Sequence, residues 1–150
     1  MTRQDAFSAL ISVRDEFEAT KFAVGHVLRL SDRDPSLVGQ YVTGLSRSDL
    51  QTCQRNLEAT YFLCLFAVFE GTLRNYSKFG RKRLKEPPME RLMDSIGRYR
   101  HISPQHMQNA HAVRILRNDM IHEHQQELRL TFHDCKSHLA TYLSWLPPLW

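Results

Sequence analysis

The run YFLCLFAVF, Tyr61 to Phe69, is apolar at every position. It is about half the roughly 20 residues that a bilayer-spanning helix needs, so it does not read as a membrane span. It reads as the middle of a long helix from about Leu50 to Lys78, roughly 40 Å at 1.5 Å per residue. A helix that is apolar on every side belongs in the centre of a bundle or in an oligomer interface. The rest of the chain must supply helices to surround it.

The spacing elsewhere is also helical. Leu10, Val13, Phe17, Thr20, Val24 and Val27 alternate steps of three and four and mark one face of a long first helix. SDRDPSLVGQ, residues 31–40, breaks that pattern with Asp, Pro and Gly. Ser48-x-x-Gln51 predicts a capping box opening the second helix. In FGRKRLKEPP, residues 79–88, Gly80 ends that helix and Pro87-Pro88 leads into a short one over Met89 to Arg98. Ser103-Pro104 predicts an N-cap followed by Pro at the first helical position of a fourth helix. Thr131-x-x-Asp134 predicts the cap of a fifth, with Phe132, Cys135, Leu139, Tyr142 and Leu146 as its buried stripe and Pro147-Pro148 as its stop. No repeat or low-complexity segment interrupts the order. The expectation is all-α: one domain over 1–150, a compact bundle of about five helices.

Composition agrees with a single core. The chain has 150 residues, 42% hydrophobic and 24% charged, with six Gly and six Pro. The N-terminal MTRQDAFSAL lacks the apolar stretch of a signal peptide, so a cytoplasmic location is expected. Cys53, Cys64 and Cys135 have no CxxC spacing, which speaks against a zinc knuckle or a disulfide framework. Cys64 and Cys135 lie in apolar surroundings and are expected to be buried free thiols.

Net charge is +4 and favours acidic partners, with nucleic acid the commonest. The excess is concentrated in residues 74–100, where nine Lys and Arg face only Glu86, Glu90 and Asp94. The loop residues Arg81, Lys82, Arg83 and Lys85 are candidates for holding an RNA backbone electrostatically, as is Arg114; a solvated loop is the competing reading for the loop. Tyr76 and Tyr99 are candidates for stacking on bases, against the commoner use of Tyr in a bundle core or rim. His101, His106 and His111 recur every fifth residue, which scatters them around a helix instead of converging them on a metal. Neither a phosphate-binding Walker loop, nor a dinucleotide fingerprint, nor a serine nucleophile elbow is present.

The most polar helical stretch is RILRNDMIHEHQQ, residues 114–126. At about 100° per residue, Asn109, Ala112, Val113, Leu116 and Met120 fall on one side as the core stripe. Arg114, Arg117, Asn118, Ile121 and His122 fall on the opposite half. Asn118 and His122 are one turn apart on a shared row, whereas Arg117 and His122 are about 140° apart and flank it. Within one chain that spacing does not clasp a single phosphate. Across a two-fold interface it brings two arginines and two histidines into one groove. Arginine supplies fixed charge and bidentate phosphate contact. Histidine, with an ordinary pKa of about 6.5, moves protons at neutral pH. RNA carries its own nucleophile in the 2′-hydroxyl, so this pair needs no metal to cleave it. An ordinary solvated face is the competing reading, and Ile121 weighs against it.

RNDMIH, Arg117 to His122, resembles the Arg-x(4–6)-His motif of the HEPN superfamily, including the polar Asn after the Arg. YFLCLFAVFEGTLRNY, Tyr61 to Tyr76, resembles the long apolar HEPN helix with an acidic residue near its end, here Glu70. The order of elements fits as well, and the resemblance covers most of the chain. It implies an all-α bundle dimerising through the motif face. It implies a metal-independent endoribonuclease, without cofactor, that cleaves RNA through 2′-hydroxyl attack in a toxin–antitoxin or phage-defence setting. Arg117 would then stabilise the transition state, His122 would be the general acid or base, Asn118 would support them, and Glu70 would orient Arg117 or His122. Any antitoxin or defence partner would be a separate chain. Because the superfamily also contains binding modules, a non-catalytic protein that binds RNA, nucleotide or another protein is the alternative, and a structural subunit of a larger complex is a third.

Overall fold

A computed structural model describes residues 2–34, 36, 46–82, 87–121 and 130–150. Among them the chain forms five α-helices: α1 (Arg3–Arg33), α2 (Arg47–Asn75), α3 (Met89–Arg100), α4 (Pro104–Ile121) and α5 (Phe132–Ser144). The fold is the all-α bundle expected. No described helix is long and apolar enough to cross a membrane.

Capping chemistry sets three of the starts. Thr2 with Asp5, Ser46 with Asp49 and Thr131 with Asp134 are complete capping boxes, each side chain bonding the other residue's amide. The second corrects the predicted Ser48–Gln51 box. Ser46 and Asp49 sit two residues earlier, and the Asp carboxylate bonds both the Ser46 amide and its hydroxyl, at 2.8 and 2.7 Å. The α2 helix then runs to Asn75 and widens into a π-helical turn over Tyr76–Gly80, closed by the Arg81 amide on the Tyr76 carbonyl at 3.1 Å. Gly80 is required there by packing. A Cβ would lie 2.7 Å from the Tyr76 ring and 2.8 Å from Trp150 Cβ.

The α1 and α2 helices are antiparallel: Arg47 pairs with Asp32, and the hydroxyls of Thr20 and Tyr61 are 2.8 Å apart. The α5 helix lies across both, with Phe132 against Phe17 (4.3 Å between ring centres) and Tyr142 edge-on to Phe69 (5.4 Å). Glu58 on α2 accepts the Phe132 amide at the α5 N-terminus, where a carboxylate is favoured by the helix dipole. At the other end Arg3 donates to the Ser144 and Leu146 carbonyls and Arg100 to the Trp145 carbonyl. Two cations therefore hold the last carbonyl of α5 and the two that follow it. The Tyr142 hydroxyl, fully buried, donates to the Met93 carbonyl and ties α5 to α3. Every residue of the predicted α5 stripe is buried.

The apolar run of α2 is one-sided. Phe62, Leu65, Phe66 and Phe69 are buried, while Leu63, Cys64 and Ala67 face outward. Cys64 is thus exposed, contrary to expectation, because none of the described helices covers that side of α2. Cys135 is buried as predicted. On α4 the core residues are Ala110, Val113 and Leu116, with Met107 and Met120 packed at their edge. Ala112 is exposed, so the core stripe is rotated slightly from the predicted one.

Candidate functional site

Arg117 leaves the outer edge of α4 and turns back over α2. Its guanidinium carbon stands 5.8 Å from the centre of the Phe66 ring, and its Nη1 donates to Asn118 Oδ1 at 3.2 Å. Both Arg117 and Asn118 are half-buried. A cation over a ring face is attracted by the ring's quadrupole, and the Asn118 bond fixes the guanidinium plane further. Arginine has five N–H donors, so this arrangement leaves a fork for an anion.

Phe66, Glu70 and Arg74 follow one another at intervals of four along α2, and therefore share a row with the ring under Arg117. Glu70 Oε1 accepts from Arg74 Nε at 2.9 Å and Nη2 at 2.7 Å. Among the described residues Glu70 pairs within its own helix and does not contact Arg117, and its expected alternative partner, His122, lies outside them. The spacing of Glu70 and Arg74, four residues apart on one helix, makes this pair visible in the sequence, although Arg74 stands there only as part of the basic stretch. Phe66 is one apolar residue in the Tyr61–Phe69 run, and no sequence signal marks it as the platform for Arg117.

The remaining candidates divide between α3 and the loop after α2. Arg114 is held inward, its side chain only 16% exposed, with Nη2 3.5 Å from Glu90 and Nε 3.4 Å from His111 Nδ1. It is a bridge between α4 and α3 and not a cation free to track a nucleic-acid backbone. Arg81 donates to Ser95 Oγ at 3.1 Å and lies 4.9 Å from the Tyr99 ring centre. Lys82 is exposed, with a left-handed backbone (φ 53°). Tyr99 is exposed, whereas Tyr76 is buried edge-on against Trp150 and is no stacking platform. His122, Arg83 and Lys85 lie outside the described residues. Among the described residues no three His, Cys, Asp or Glu side chains converge as a metal site.

The surface around Arg117 carries apolar residues as well as polar ones. Ile121, one turn on, is 45% exposed. Leu63 and Cys64 add to the uncovered side of α2. The chain matches no protein-family model, and neither the curated proteins nor the solved structures contain a significant match to it. The functional reading therefore stands on the residues themselves.

Proposed function

We propose that the chain is a metal-independent endoribonuclease of the HEPN type, working as a homodimer in a toxin–antitoxin or phage-defence setting. The observation that carries this reading is the posture of Arg117. It is anchored on Phe66 and Asn118, at the point where the Arg-Asn-x-x-x-His pattern requires a phosphate-binding cation. Preorganised charge of this kind acts on the developing charge of a phosphoryl transition state without reorganising. His122 follows Ile121 directly in sequence and is assigned the proton transfers. The exposed Ile121 supports a second copy covering this face, since an apolar residue beside a polar site marks an interaction surface.

Two measurements test the reading. Expression should be toxic and the toxicity should be relieved by His122→Ala; growth that is equal for both chains contradicts it. The mass in solution should be that of a dimer, and a strict monomer contradicts the shared groove.

One observation favours a second reading. Glu70 and Arg114 are both engaged in intramolecular pairs. A non-catalytic module that binds RNA, nucleotide or protein through Arg117 alone would need neither of them. Intact RNA after incubation with a binding-competent protein selects that reading.

A further inference from the structure

The turn between α3 and α4 has an unusual residue at its pivot. The Ile102 amide bonds the Gly97 carbonyl at 2.9 Å and the His101 amide bonds the Arg98 carbonyl at 3.4 Å. This is the Schellman pattern, in which the residue after the helix adopts the left-handed conformation and is usually glycine. Here it is His101, with φ 54° and ψ 39°. Histidine is one of the few side chains enriched in that region, but glycine takes the conformation without strain.

The side chains around this turn line an open cleft of about 480 Å³. It is lined by Asp94, Gly97 and Arg98 of α3, by His101 and Ile102 of the turn, and by Pro104 and Met107 at the start of α4. The volume suits a small ligand. Arg98 and His101 are exposed, and no ion pair or side-chain hydrogen bond engages either of them among the described residues. Asp94 is oriented: its Oδ1 lies 2.9 Å from His111 Nε2, and His111 Nδ1 accepts from Arg114. That acceptor role places the imidazole proton on Nε2, directed at Asp94.

We propose that this cleft binds a phosphate monoester, with the phosphate on Arg98 and His101 and the organic group over Ile102 and Met107. Arginine offers two parallel donors to phosphate oxygens, and the imidazole adds a third. Asp94, one turn before Arg98 on α3 and held by His111, also lines the cleft and accepts from a donor group on the ligand. The site is separate from Arg117 and does not depend on RNA cleavage.

The test is calorimetric titration of the full chain with adenosine 5′-monophosphate, inorganic phosphate and adenosine. The monophosphate should bind and adenosine should not. Arg98→Ala and His101→Gly should each weaken binding about tenfold or more, the scale of a lost charged hydrogen bond. His101→Gly should melt no lower than the wild type, because glycine suits the left-handed turn; this separates a ligand role from a structural one. Arg117→Ala should bind normally. Monophosphate tighter than inorganic phosphate supports the ester site, and equal affinity overturns the contact of the organic group with Ile102 and Met107. The proposal is overturned if adenosine binds as well as its monophosphate, if the monophosphate does not bind, if either cleft variant binds like the wild type, or if Arg117→Ala abolishes binding.

Discussion

The Arg117 guanidinium lies 5.8 Å from the centre of the Phe66 ring, so α4 rests its candidate phosphate-binding cation on an aromatic ring of α2. Phe66 is itself only 2% exposed, which makes the platform part of the core. Replacing it with leucine keeps an apolar residue but removes the ring face. Phe66→Leu should lower stability by about 1–1.5 kcal/mol, the usual cost of an apolar swap with imperfect shape. It should also reduce RNA cleavage although Arg117 and His122 are unchanged. Urea unfolding and a cleavage time course measure the two effects, and unaltered cleavage in a folded variant would remove the platform from the site.

The thiols divide sharply. Cys53 and Cys64 are exposed and Cys135 is buried. Burial pushes the Cys135 thiol up to about 12, with Asp134 and Glu58 acting in the same direction. The thiolate is the reactive form, so Cys135 should be inert at neutral pH. A colorimetric thiol reagent should titrate two groups in the native protein and the third only on unfolding. Three fast thiols would show that α5 does not pack as described.

Two glycines make opposite predictions. A Cβ at Gly71, on the exposed side of α2, meets nothing within 4 Å. Gly71→Ala should stabilise the monomer by up to about 1 kcal/mol through helix propensity, a rise of roughly 2–4 °C in Tm. At Gly80 the same change drives a methyl into Tyr76 and the Trp150 backbone-proximal carbon, so Tm should fall. Differential scanning calorimetry checks both signs, and a Tm that is unmoved by Gly80→Ala would contradict the Tyr76–Trp150 packing.

Acid should weaken the fold through the caps. Asp5, Asp49 and Asp134 have carboxyls held below the usual aspartate range, by hydrogen bonds to Thr2, Ser46 and Thr131 respectively. Between the folded and unfolded pKa values the unfolded chain binds more protons, so stability rises with pH in that window. The contribution is complete above the ordinary Asp value of about 3.9 and is lost as pH falls through the lower folded values. Urea midpoints should therefore decline below about pH 4. Asp49→Asn with Asp134→Asn should flatten that decline, and an unchanged slope would show that the caps do not carry it.

What could be seen in the sequence follows how local the interactions are. The Thr131–Asp134 box and the α5 stripe depend on residues within one helix, and both are visible as spacing. The start of α2 went two residues astray because Ser46-x-x-Asp49 and Ser48-x-x-Gln51 offer the same chemistry, and the shorter, charged Asp49 wins. The exposure of Cys64 was hidden because a helix apolar on every side gives no direction to its core face. Arg114 and Arg117 sit three residues apart, yet one turns to Glu90 on α3 and the other to Phe66 on α2. That division is set by tertiary packing, which periodicity does not encode. Likewise Glu70 was visible as an acidic residue near the motif helix, but its pairing with Arg74 competes with the role that the HEPN resemblance implied for it.

Cleavage itself is the decisive measurement. Purified protein should be incubated with a defined single-stranded RNA in excess chelator, beside Arg117→Ala and His122→Ala, and the product ends analysed. The wild type should yield 2′,3′-cyclic phosphate and 5′-hydroxyl ends. Each variant should be slower by at least about 10²-fold, the scale of losing one general acid–base or charge-stabilising group. Intact RNA with the wild type, or equal cutting by all three proteins, would contradict the assignment of catalysis to Arg117 and His122.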